Sequence, residues 1–225
     1  MTNKMIDVEV MLFDLDGTLI DSRADLARSI NLMLADLERP SLSEDTIAGF
    51  VGDGVRVLTY RSLTATDPNL RPPDEFLHAD GMALMHKHYA EQMFVSTRLY
   101  PDIAKTLEHF SSKPKAVVTS KEVRFTEMIL ERFSIASYFK SIVGGDTVAE
   151  RKPDPAPVVE AIRQLGSSPE KAVMIGDSEN DVNAGRRAGT HTCAVSYGFR
   201  TEDQLRKASP EVLIERFEQL EEYFR

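Results

Sequence analysis

Two carboxylates set two residues apart, Asp14 and Asp16, follow the apolar run Val10-Met11-Leu12-Phe13 and precede Gly17 and Thr18. If that run is a buried parallel strand, Asp14 stands at its carboxyl end, where open α/β sheets hold their ligands. Gly17 permits a turn that brings backbone N–H groups close to an anion. Three further polar clusters adjoin apolar or helical patterns: Thr119-Ser120-Lys121, Arg151-Lys152-Pro153-Asp154-Pro155, and Gly176-Asp177-Ser178-Glu179-Asn180-Asp181. A doubly wound sheet would bring all of them to the edge that carries Asp14 and Asp16.

These residue types meet the demands of phosphate monoester cleavage, which needs a nucleophile, a proton donor and charge neutralisation together. Asp14 is the candidate nucleophile, since a carboxylate can attack phosphorus to form an aspartyl phosphate. Asp16 is the candidate acid for the leaving alkoxide and the base for the later water, a role worth about 10²- to 10⁴-fold. Carboxylate and phosphate repel, so Mg²⁺ is expected between them, held by Asp14, Asp177 and the Asp16 backbone carbonyl. Thr119, Ser120, Lys152, Asp16 and Gly17 form the expected phosphate-binding set. Asp181, with Ser178 beside it, is placed to orient Lys152 or a metal-bound water.

The elements that must position these groups are legible in the hydrophobic pattern. After Asp16, Leu26, Ile30, Met33 and Leu37 recur at helical spacing, and Arg39-Pro40 ends that helix. Further helical patterns follow at residues 44–48, 55–63 and 74–93 without a convincing strand between them. From Tyr100-Pro101 strands alternate with helices: strands at 116–119, 141–143, 172–175, 191–195 and 212–214, helices at 122–133, 156–165, 181–188, 201–208 and 216–224. The fold class expected is α/β, a Rossmann-like doubly wound parallel sheet with an inserted all-helical cap. Residues 1–20 and 97–225 would form the core and 21–96 the cap, which could serve as a lid.

Composition narrows the function further. The chain has 225 residues, 42% hydrophobic and 28% charged, with a formal charge of −9. A net negative surface argues against nucleic acid or an anionic membrane as the main partner, while one local positive site can still receive a small anion. Cys193 is the single cysteine, so no disulfide links the chain to itself, and its apolar neighbours mark it as a buried structural thiol. No signal-peptide core opens the sequence and no run approaches the roughly 20 apolar residues of a membrane span, so a cytoplasmic protein, monomer or homodimer, is expected. The five histidines form no metal triad.

In its four ordered motifs the chain resembles the haloacid dehalogenase-like hydrolases. Asp14-x-Asp16-Gly17-Thr18 is similar to the first motif, Thr119 to the second, Lys152 to the third and Gly176-Asp177-Ser178-x-x-Asp181 to the fourth. The resemblance implies a Rossmann-like core, Mg²⁺ dependence, an aspartyl-phosphate intermediate and a helical cap inserted after the first motif. An acid at Asp16 points within the superfamily to phosphate esters, because expulsion of halide needs no proton. The segment Phe50-Val51-Gly52-Asp53-Gly54-Val55 and the return Leu99-Tyr100-Pro101 resemble the phosphoglycolate phosphatase subgroup. That likeness implies 2-phosphoglycolate as substrate, with Gly52, Asp53 and Gly54 as a specificity loop and Arg56 meeting a substrate carboxylate. Two departures stand out, Ser120 where the family often has Asn and Asp102 where it often has Gly. The alternatives are a phosphosugar mutase of β-phosphoglucomutase type and a non-catalytic protein that binds a phosphorylated ligand.

Overall fold

The computed structural model describes residues 5–225. By their internal contacts the described residues divide into two compact units, residues 5–20 with 99–225, and residues 21–98.

The first unit is built on six parallel strands: β1 (Val10–Phe13), β4 (Lys115–Val118), β5 (Ser141–Val143), β6 (Ala172–Gly176), β7 (His191–Val195) and β8 (Val212–Ile214). Two further strands among the described residues, β2 (Ile20–Asp21) and β3 (Arg98–Leu99), pair as a two-stranded sheet where the chain passes between the units. The six-stranded order is β5-β4-β1-β6-β7-β8, with every pairing parallel. The chain therefore starts in the middle, winds to one edge and returns to wind toward the other, which makes the carboxyl end of β1 the switch point of the sheet. Phe13 is in register with Val117 of β4 and with Ile175 of β6, so the three central strands end at one level.

Both faces of β1 are covered, which explains why it reads as an unbroken apolar run. Val10 and Leu12 pack with Val158, Ala161 and Ile162 of α7 (Ala156–Leu165) and Ala184 of α8 (Glu179–Ala188). Phe13 points the other way, with ring centroids 6.1 Å from Phe139 and 5.8 Å from Phe217. This two-residue alternation fixes which way each residue at the strand end faces.

The second unit contains the helices α1 (Arg23–Asp36), α2 (Glu44–Phe50), α3 (Val55–Ala65) and α4 (Glu75–Gln92). Ser43 and Asp74 cap α2 and α4 by accepting the N–H groups of Thr46 and Leu77. Ile30, Met33 and Leu34 of α1 are buried, as are Met85 and Tyr89 of α4. The carboxylate of Asp25, at the start of α1, accepts the N–H groups of Ser96 and Thr97 and the Thr97 hydroxyl at 2.8–3.0 Å.

The remaining helices are α5 (Ile103–His109), α6 (Val123–Arg132), α9 (Glu202–Ala208) and α10 (Leu220–Tyr223). The last differs from the helix expected over residues 216–224. A 3₁₀ turn, Phe217–Gln219, precedes a single α-helical turn. Tertiary demand overrides helical propensity there, because Phe217, Leu220 and Phe224 are all buried and Phe224 pairs with Ile6 through a parallel bridge. Among the described residues no helix is long and apolar enough to cross a membrane. Cys193 lies buried in β7, and burial pushes its thiol far up from its ordinary value.

Candidate active site

Because β1, β4 and β6 end together, the residues that follow them share one edge. Asp14 leaves β1 with its N–H still donating to the Ile175 carbonyl of β6, at 2.9 Å. Asp177 and Ser178 leave β6 and enter α8, whose start is fixed by a capping box: Ser178 accepts the Asp181 N–H, and the Asp181 side chain accepts the Ser178 N–H. The Ser-x-x-Asp spacing thus turns the Asp181 carboxylate back toward the strand ends. Lys152 arrives from the loop before α7, where Asp154 Oδ1 accepts the Ala156 N–H at 2.9 Å.

The Lys152 ammonium joins these pieces. Its Nζ lies 2.9 Å from Asp14 Oδ1, 2.6 Å from Asp181 Oδ1 and 2.7 Å from the Val118 carbonyl at the end of β4. All three of its donors are therefore used, which is the condition for a buried ammonium to be tolerated. Burial alone would lower the lysine's affinity for its proton, but the carboxylates of Asp14 and Asp181 outweigh it and hold Lys152 charged.

Asp14, Asp177 and Asp181 are all buried, and each offers an oxygen within 4.8 Å of the others. Three carboxylates beside one bonded ammonium leave the cluster short of positive charge, and the ionisation behaviour follows. Burial pushes Asp14 up to about 7 against the pull of Lys152, with Asp181 and Asp16 adding to the push. Asp177 is pushed well above the usual carboxylate range by burial first and then by Asp14 and Asp181. A buried, oxygen-only set with excess negative charge fits a small, hard divalent cation, and a bound cation would reverse both upward shifts. Asp181 has both oxygens engaged, Oδ1 by Lys152 and Oδ2 by the Ser178 N–H at 3.0 Å and hydroxyl at 2.6 Å. Asp14 and Asp177 each keep an oxygen outside the bonds to Lys152 and to the Phe199 N–H, so these two are the residues able to hold the ion directly.

The other expected site residues fall in different places. Asp16 does not join the cluster of three carboxylates; its Oδ1 pairs with Lys121 Nζ at 2.8 Å, both side chains being nearly buried. Gly17 adopts φ +83°, and its N–H donates to the Ile20 carbonyl at 2.9 Å. That bond closes the turn, and the missing side chain allows close approach. A Cβ there would lie 2.1 Å from Asp177 Oδ2. Thr119 is buried directly after Val118, its own N–H donating to the Val143 carbonyl at 2.9 Å and its Oγ1 accepting the Lys121 N–H at 3.2 Å. Ser120 Oγ is buried and has no hydrogen-bond partner among the described residues.

In the helical unit Gly52 and Gly54 both take positive φ, Asp53 forms an ion pair with Arg61 at 2.6 Å, and the Arg56 side chain is exposed. The Arg56 carbonyl meets His78 Nε2 at 2.9 Å.

Two groups with clear roles in this geometry were not singled out from the sequence. Lys121, inside the Thr119-Ser120-Lys121 cluster, pairs with Asp16, and the Phe199 N–H donates to Asp177 Oδ2 at 2.6 Å. For the first the signal was present in its adjacency to Thr119. For the second it was slight, an aromatic-Gly pair just after the strand at 191–195.

Known proteins resemble the chain in sequence and in fold. The family model for haloacid dehalogenase-like hydrolases matches residues 11–195. A phosphoglycolate phosphatase of Colwellia psychrerythraea is 35% identical over 219 residues, covering 96% of this chain and 97% of the relative. One from Aquifex aeolicus is 39% identical over 194 residues, covering 85% and 86%. Among solved structures, that of a "predicted phosphoglycolate phosphatase" from Haemophilus somnus superposes with a TM-score of 0.90 at 30% identity, covering 95% of this chain and 96% of that one. A Thermotoga maritima structure bearing the β-phosphoglucomutase name shares the fold, with a TM-score of 0.73 at 24% identity. By sequence over most of its length and by the architecture that carries its acids, the chain belongs to the haloacid dehalogenase-like hydrolases and is a phosphatase.

Proposed function

We propose that this phosphatase hydrolyses a small phosphate monoester through a covalent aspartyl phosphate on Asp14. One observation carries the reading: the Asp14 carboxylate is held at the switch point of the sheet by Lys152 and stands beside Asp177 in a cluster short of positive charge. In the proposed first step Asp14 attacks phosphorus while Asp16 gives a proton to the leaving alkoxide. In the second, Asp16 takes a proton from water as it attacks the same phosphorus, and Asp14 is regenerated. Lys152 stays bonded to Asp14 and Asp181, keeping the nucleophile's direction fixed and offsetting phosphate charge. Thr119 and Ser120 are the proposed hydroxyl and backbone donors to the phosphate oxygens. Mg²⁺, held by Asp14, Asp177 and the Asp16 carbonyl, would neutralise charge between carboxylate and phosphate.

The substrate proposed is 2-phosphoglycolate, the ester named for the relatives at 35% and 39% identity. In this reading the Gly52–Asp53–Gly54 turn and Arg56 select it, the exposed guanidinium meeting the substrate carboxylate. The test is orthophosphate release from a panel that contains 2-phosphoglycolate, sugar monophosphates and a sugar bisphosphate, in Mg²⁺ and in EDTA. Release from 2-phosphoglycolate in Mg²⁺, lost in EDTA, is expected. No release from any member would overturn the reading, and isomer conversion without release would place the chain with the mutases.

A further inference from the structure

Asp177 is gripped from a segment that none of the four motifs contains. Beyond β7 the chain runs Ser196-Tyr197-Gly198-Phe199, and hydrogen bonds to three other parts of the unit help to fix this loop. The Ser196 N–H donates to the Ile214 carbonyl of β8 at 2.9 Å. The Tyr197 hydroxyl donates to the Thr18 carbonyl at 2.8 Å, tying the loop to the turn after Asp14 and Asp16. The Phe199 N–H donates to Asp177 Oδ2 at 2.6 Å. Gly198 makes the approach possible. A Cβ on it would lie 2.3 Å from Asp177 Cβ, 2.4 Å from Asp177 Oδ2 and 2.5 Å from the Gly17 carbonyl. Its φ is not positive, so space is what requires glycine here. Gly17 also comes close, since a Cβ on it would lie 2.1 Å from the same Oδ2. Asp177 Oδ2 is therefore walled by two glycines and bonded by one N–H, while Asp177 Oδ1 takes no bond from the loop.

We propose that the Ser196–Phe199 loop is a positioning element for the divalent-cation site: Gly198 and the Phe199 N–H fix the rotation of the Asp177 carboxylate, and Tyr197 keys that grip to the turn carrying Asp16. The loop touches the ion only through Asp177. This inference rests on the cation site proposed above. It adds that ion affinity is set by a loop after β7 as well as by the acids themselves.

The test is Mn²⁺ binding followed by electron paramagnetic resonance, together with thermal melting in EDTA. Gly198→Ala is expected to weaken Mn²⁺ at least 10-fold and to regain part of its activity at high metal concentration. Tyr197→Phe, which adds no bulk and removes the tie to Thr18, is expected to weaken Mn²⁺ by 2- to 5-fold. Gly166→Ala serves as the stability control. It strains a left-handed position at the end of α7 with no atom within 4 Å of the added Cβ, and should lower the melting temperature without changing Mn²⁺ affinity. Wild-type Mn²⁺ affinity in a folded Gly198→Ala protein would overturn the proposal. If that variant does not fold, unchanged affinity in Tyr197→Phe would overturn it equally. Failure of the wild type to bind Mn²⁺ would instead sink the cation site itself.

Discussion

Lys121 Nζ lies 2.8 Å from Asp16 Oδ1, so the second acid of the opening motif is held by a cation of the neighbouring strand end. The pair joins the loop after β4 to the loop after β1 and fixes the direction of a side chain that the proposed mechanism needs twice. Lys121→Met is expected to lower kcat/KM by roughly 10- to 100-fold, because a misdirected proton donor loses most of its catalytic contribution. Steady-state kinetics on the preferred ester measures this, and an unchanged value would free Asp16 from dependence on Lys121.

Asp14→Asn keeps the shape of the side chain and its capacity to accept from Lys152. Phosphate release should fall by at least ~10³-fold while the circular dichroism spectrum is preserved, since the nucleophile is lost rather than displaced. Retained turnover would assign the attack to another group.

Asp177 carries a carboxyl pushed upward by burial, Asp14 and Asp181, which marks it as a group whose charge costs stability until a cation arrives. Asp177→Asn should therefore raise the melting temperature of the metal-free protein at neutral pH, by about 2–4 °C for a gain near 1 kcal/mol. Mg²⁺ should stabilise the wild type and leave the variant unmoved. A variant that melts lower than wild type in EDTA would contradict the account of charge in the cluster.

Arg56→Ala is expected to raise KM for 2-phosphoglycolate about 10-fold and to leave KM for a phosphate monoester that has no carboxylate within about 2-fold, because only the former offers a carboxylate to the guanidinium. Equal effects on both substrates would remove Arg56 from substrate selection.

Lys115 stands at the start of β4, at the sheet edge opposite the acids, and its buried Nζ donates to the Phe110 and Lys113 carbonyls. Burial pushes it down to about 8 from 10.5. Between those values the unfolded chain binds more protons at this site than the native protein, so this residue's contribution to stability rises with pH there. The stability of wild type relative to Lys115→Met should be flat below pH 7 and climb from about pH 8, by up to ~1.4 kcal/mol per pH unit. Urea unfolding at several pH values measures it, and a flat difference through pH 10 would show that Lys115 keeps its ordinary affinity for the proton.

Much of the architecture could be read from local pattern. The run Val10–Phe13 and its counterparts at β4, β6 and β7 are short, apolar and flanked by helical periodicity, and burial on both faces is what such runs require. The Ser178-x-x-Asp181 spacing was likewise a local signal and became a capping box. Residues 216–224 misled for the opposite reason: their propensity is helical, but Phe217 and Phe224 had to reach the core and the chain had to meet Ile6.

The sequence by itself determined which groups could do chemistry, their order, and that each follows or precedes an element of a parallel sheet, because spacing and apolar periodicity are properties of adjacent residues. Partner choice is not such a property. That Lys152 reaches back 138 positions to Asp14, that Lys121 binds Asp16, that the Gly17 N–H closes a turn, and that Phe199 grips Asp177 were decided only in three dimensions. Parallel strands joined by crossover helices bring distant loops to one edge, and only there does buried charge select its neighbours.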